Sequence, residues 1–180
     1  GVGLRAPRDA KVITVRESDE PLGRASVKAF RVLAYVIAAD VVVQAAAIAF
    51  GVFGESKYVD DNHTVTKALV EAHDTSIFTG AVGFAIHQIN GTAVIPLLAL
   101  ALVIASFFAK VPGGTNAALL VLLFVVIQIV LGIFAHSVVY LGPLHAINAF
   151  LVIWFALAAA RRAGGTFLTG RSEPTAPAAA

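Results

Sequence analysis

The chain has 180 residues, of which 58% are hydrophobic and only 13% charged, with a formal net charge of +2 and neither cysteine nor methionine. Soluble domains run roughly half apolar and about a quarter charged, so the composition points to an integral membrane protein. The absence of sulfur excludes disulfides, iron–sulfur clusters, thiolate zinc sites, cysteine nucleophiles and thioether ligands. Any metal centre held by side chains must use the five histidines, helped by carboxylates. The basic residues flank apolar runs and form no separate patch, which argues against nucleic acid as a partner.

In chain order, residues 1–31 read as a polar, mixed-charge tail. The first apolar run starts too late and runs too long for a signal peptide, so it is expected to be a retained membrane helix. Four spans are predicted, at about 32–53, 77–109, 116–136 and 143–160, each near or above the ~20 residues that cross a bilayer at ~1.5 Å per residue. The second exceeds a simple span, so it is expected to tilt or to lay its first turns in the interface, with a kink at Pro96. The link SVVYLG is short enough to force the third and fourth spans into an antiparallel hairpin. Residues 163–180, rich in small residues and proline, are expected to form a flexible tail. The fold class is all-α: an integral membrane four-helix bundle.

Charge sets the expected orientation. Arg24, Lys28, Arg31, Lys110, Arg161 and Arg162 flank one side of the spans. The first long loop carries Glu55, Asp60, Asp61, Glu71 and Asp74 against Lys57 and Lys67. The positive-inside rule then puts both termini in the cytoplasm and the acidic loop outside a plasma membrane. All five histidines fall in the outer half or beyond it.

Two segments recur. VVVQAAAIAFGVF in the first span resembles FVVIQIVLGIFAHS in the third, aligned through Gln44 and Gln128, and H-x-I-N opens both His87–Asn90 and His145–Asn148. The bundle therefore reads as two pseudo-repeated helical hairpins, an architecture that often holds a site between its halves. Each span carries a polar stripe at helical spacing: Asp40, Gln44 and Gly51; Gly83, His87, Asn90 and Gly91; Gln128, Gly132 and His136; Gly142, His145 and Asn148. Polar side chains in lipid turn to the bundle interior, which predicts a histidine-lined pocket displaced to the outer side.

Gly83-x-x-x-His87-x-x-x-Gly91 puts a glycine one turn to either side of an imidazole, the clearing that a flat porphyrin needs. His87 and His145, equivalent in the repeat, are the expected axial pair for haem b, with Asn90 and Asn148 orienting the ligands or bonding a propionate. Against this stands a plainer reading, in which the glycines allow close packing and Asn, Gln and His bond across helices. Gln44 and Gln128 fit that role, His63 fits a solvated loop, and His136 fits a helix end. Asp40 is expected to bond a neighbouring helix or to relay protons.

An axial histidine on the second helix and another on the fourth, both near the outer face, resemble one four-helix half of the haem A synthase family. The resemblance implies haem ligation by His87 and His145. The chain has one such unit where that family has two, Gly83 where a glutamate stands, and no cysteine pair, so it implies haem binding and not haem A synthesis. Gln44 with Gly51 and Phe53, His87-x-x-Asn90-Gly91 and His145-x-x-Asn148 followed by Arg161–Arg162 are also similar to a small four-helix membrane family of actinobacteria. That similarity implies the fold and a plasma membrane, and no activity.

The leading expectation is electron transfer near the outer face, to or from a quinone or another redox partner. A second is a non-catalytic accessory or assembly subunit of a larger membrane complex, or a homo-oligomer. A third is a copper or zinc site formed by His73, His87, His136 and His145. No complete catalytic motif decides whether the chain is an enzyme.

Overall fold

The computed structural model describes residues 19–72 and 74–168. Its elements are α1 (Asp19–Asp60), α2 (Lys67–Glu71), α3 (Ala81–Ile89), a π-turn (Asn90–Val94), α4 (Ile95–Ala109), α5 (Gly114–Ala135) and α6 (Leu141–Leu168), with no strand among the described residues. α3, the π-turn and α4 run on as one helix. Four helices are long and apolar enough to cross a membrane: Pro21–Asp60, Ala81–Ala109, Gly114–Ala135 and Leu141–Gly164. α1 packs against α3, α4 and α6; α5 joins α4 to α6 and closes the ring. Large apolar side chains such as Phe53, Phe107, Phe108, Phe150 and Trp154 point outward, as they do when the surrounding solvent is lipid.

Several boundaries differ from expectation. α1 has 42 residues, about 63 Å at 1.5 Å per residue, twice the hydrocarbon thickness. It therefore incorporates the end of the expected polar tail and the start of the acidic loop. α6 continues to Leu168, past the expected start of the flexible tail, because Ala163 is buried in the bundle. Residues 1–18 and 169–180 lie outside the described residues, as does His73.

The end of α1 shows why the chain turns where it does. Asn62 adopts φ 66°, its N–H bonds the Val59 carbonyl at 3.0 Å, and the His63 N–H bonds the Tyr58 carbonyl at 3.2 Å. This is a Schellman cap, for which Asn tolerates the left-handed position. The His63 ring stacks on Tyr58 with centroids 4.4 Å apart, the side-chain contact that accompanies such caps. Lys110 at φ 49° and Gly113 at φ 68° make the tight link between α4 and α5, and Arg162 Nη1 donates to the Gly113 carbonyl at 3.3 Å.

The bundle is packed unevenly along its axis. At the end that carries Arg24, Lys28, Arg31, Lys110, Arg161 and Arg162, here the basic end, Phe30, Ala34, Ile37, Leu102, Val121, Val152 and Ala156 form a sealed core. Toward the other end, here the loop end, no residue of α5 beyond Val125 is buried, and none of α6 before Asn148. There α3 buries only Ala81 and Gly83.

Pro96 stands in the first turn of α4, directly after the π-turn. It lacks the N–H that would meet the Thr92 carbonyl, and its ring would press on that carbonyl. The helix accommodates it by widening into the π-turn just before it, where the Ile95 N–H bonds the Asn90 carbonyl.

Candidate functional site

The loosely packed loop half holds the histidine pair. His87 on α3 and His145 on α6 are both partly buried, with ring centroids 6.1 Å apart and planes at 67°. His87 Nδ1 lies 3.3 Å from the Gln44 carbonyl, and His145 Nδ1 lies 3.0 Å from the Gln128 carbonyl. A carbonyl oxygen only accepts, so in each contact Nδ1 carries the hydrogen. The lone pair of each neutral ring is then on Nε2.

Around His145 the polar groups form a closed network. Gln128 Nε2 donates to His145 Nε2 at 3.1 Å. Asn148 Nδ2 donates to Gln128 Oε1 at 2.6 Å and to the Phe124 carbonyl at 2.9 Å. Asn148 is only 5% exposed, so these bonds are needed: a buried amide left unpaired costs about 1–3 kcal/mol.

Around His87 the corresponding residues behave differently. Asn90 Nδ2 donates to Asp40 Oδ1 at 2.6 Å. In both hairpins the asparagine thus reaches the residue one turn before the glutamine, a carboxylate in one and a backbone carbonyl in the other. Among the described residues, however, neither amide atom of Gln44 has a partner. It was expected to bond across helices, yet it does so only through its backbone carbonyl.

The glycines pack helix against helix. A Cβ on Gly83 would run into the Ala47 carbonyl and lie 2.8 Å from the Gly51 nitrogen; one on Gly91 would lie 3.1 Å from Gln44 Nε2. The clearing expected beside His87 is occupied at Gly83 by the backbone of α1 and at Gly91 by the Gln44 side chain. Gly132 meets the His145 ring in the same way, at 3.0 Å.

Among the described residues, His63 and His136 do not join this pair. His136 is exposed at the end of α5 and His63 is held in the α1 cap. Among the described residues no group of three or more His, Cys, Asp or Glu could hold a metal ion; the expected copper or zinc site includes His73, which lies outside them. Sequence spacing found both histidines, both asparagines and both glutamines. It missed the π-turn, whose one visible signal was Pro96 shortly after Asn90. No protein family, curated protein or solved structure matches the chain.

Proposed function

We propose that this chain is a b-type haem protein of the plasma membrane that carries electrons near its loop end, with His87 and His145 as axial ligands. The observation that carries the reading is the pair of imidazoles that meet edge to face. If haem were bound, His87 and His145 would hold its iron through their Nε2 lone pairs. The rings stand at 6.1 Å.

Their hydrogen bonds support the same role. Ligating histidines commit the second nitrogen to a carbonyl or carboxylate, which fixes ring and tautomer, and both Nδ1 atoms are so committed. Gln128 has to rotate its amide off His145 Nε2 for that lone pair to be used. The packed glycines provide no room for a ring on the side of α3 that meets α1. When bound, haem supplies one-electron redox chemistry. The residues' own work is to orient the imidazoles and to hold their protons on Nδ1.

The matching carbonyl contacts of His87 and His145 support two pseudo-repeated hairpins. The clustering of basic side chains at one end supports a cytoplasmic location for both termini. The test is an oxidised and dithionite-reduced absorption spectrum of the detergent-purified protein, expressed with ample haem. A Soret band with sharp reduced α and β bands, lost in both His87→Ala and His145→Ala, is expected. An unchanged spectrum in both variants refutes the ligand pair. A colourless protein that also fails haem titration refutes the haem reading, and copurification with another membrane subunit would then favour the accessory-subunit alternative.

A further inference from the structure

At the basic end, away from the histidines, lies a half-open cleft of about 450 Å³ lined by Arg24, Ala25, Val27, Lys28, Arg31 and Ala163. Its three cations follow from helical spacing. Residues 24, 28 and 31 stand four and then three apart, so one face of α1 presents them all. The floor is apolar, because Val27 packs half-buried against the core and Ala163 of α6 is buried in it. Among the described residues no carboxylate lines the cleft, and neither Lys28 nor Arg31 has an acidic partner.

Arg31 is held in place. Its Cζ lies 5.7 Å from the Tyr35 ring centroid, within cation–π range. On the α6 side it lies 3.9 Å from where a Cβ on Gly164 would stand. A guanidinium fixed by a ring and a neighbouring helix loses little freedom when it meets an anion.

The cleft sits at the level of lipid headgroups. The apolar run of α1 begins at Val32, directly after Arg31. Side chains lean toward the N-terminus of a helix, so Lys28 and Arg31 reach away from the hydrocarbon. Tyr35 is one turn further in, and at the same end Arg161 Cζ lies 5.9 Å from the Trp154 ring centroid. Tyrosine and tryptophan are the residues that gather at a membrane interface. Next to the cleft Val32, Tyr35 and Val36 are exposed on the outside of α1.

We propose that this cleft binds one anionic phospholipid, its phosphate between Lys28 and Arg31 and its acyl chains along Val32, Tyr35 and Val36. Arg24 already has an interaction within the chain, so the phosphate is assigned to the other two. Arginine offers a planar fork and lysine a point charge, both suited to phosphate oxygens. Basic pockets between membrane helices bind anionic headgroups in this way. A free phosphate would use the charges and leave the apolar floor and the exposed valines uncovered. A zwitterionic lipid would cover them but bring a choline cation against three basic side chains. The site is at the opposite end of the bundle from His87 and His145, so it stands whether or not haem binds.

The test is native mass spectrometry of the detergent-solubilised full chain titrated with dioleoyl phosphatidylglycerol or dioleoyl phosphatidylcholine. The first phosphatidylglycerol should bind about 25-fold tighter than phosphatidylcholine, two charges at about fivefold each. Lys28→Gln and Arg31→Gln should each weaken it about fivefold; both side chains are exposed, so the core is untouched. Ala25→Phe, which fills the cleft and alters no charge, should weaken it as well. Lys110→Gln and Arg161→Gln remove the same charge at the same end and should leave it unchanged. Equal binding of the two lipids overturns the proposal. So does an equal loss in the Lys110→Gln or Arg161→Gln variant, which would show a diffuse charge effect and no site. Displacement of the lipid by millimolar inorganic phosphate overturns the lipid as occupant and leaves a site for a soluble anion.

Discussion

Replacing Gly83 by alanine separates two roles for the glycine beside His87. If it serves close packing, the added methyl meets the backbone of α1 at the Ala47 carbonyl and, at 2.8 Å, the Gly51 nitrogen. Neither is the end of a flexible side chain, so relief requires α3 to move off α1 by about 1 Å to reach ordinary contact distance. Overpacking of this kind costs about 1–3 kcal/mol. The shift would also stretch the His87 Nδ1 contact to the Gln44 carbonyl, already 3.3 Å, and loosen the ring's orientation. Gly142→Ala is the control, because a Cβ there meets nothing within 4 Å. Thermal unfolding in detergent should show Gly83→Ala several degrees less stable and Gly142→Ala nearly unchanged. Equal stability of the two variants would refute the packing argument. Loss of bound haem in Gly83→Ala at unchanged stability would instead restore the porphyrin clearing.

Asn148→Leu removes donors to both Gln128 Oε1 and the Phe124 carbonyl. Hydrogen bonds within membrane proteins average about 0.6 kcal/mol and reach about 1.7, so a loss of about 1–2 kcal/mol is expected in a reversible detergent-unfolding titration. Asn62→Val forces a β-branched residue to φ 66° and should cost about 1–2 kcal/mol, whereas Asn62→Gly should be nearly neutral by the same titration. In the loop, the Ser76 hydroxyl and then its backbone N–H donate to Asp74 and hold its carboxyl below the usual carboxylate range. That depression contributes loop stability present above the ordinary Asp range and lost as pH falls through the lowered value. Ser76→Ala should raise the Asp74 titration back toward its ordinary range, as followed by carboxyl carbon chemical shifts.

Much of this protein is set by local chemistry. Four apolar runs long enough for a bilayer must become helices, since in lipid only helices and closed barrels satisfy the backbone. The helical spacing of the stripes then aligns His87 with Asn90 and His145 with Asn148 on their own helices. Hence the number of membrane-length helices and the identity of the polar residues were legible without coordinates. The extent of α1 was not, because a helix continues past the lipid wherever capping and salt bridges such as Lys57–Asp61, at 2.8 Å, support it. What only tertiary structure decided is which partner each polar group meets. Sequence makes Gln44 and Gln128 equivalent, yet Gln128 is held by Asn148 and His145, while among the described residues the Gln44 amide has no partner and Asn90 turns to Asp40 instead. It likewise makes Gly83 a clearing or a contact with equal force, and the approach of α1 makes it a contact. Helical periodicity fixes a residue's face; the neighbour opposite that face depends on how whole helices cross, which no local spacing encodes.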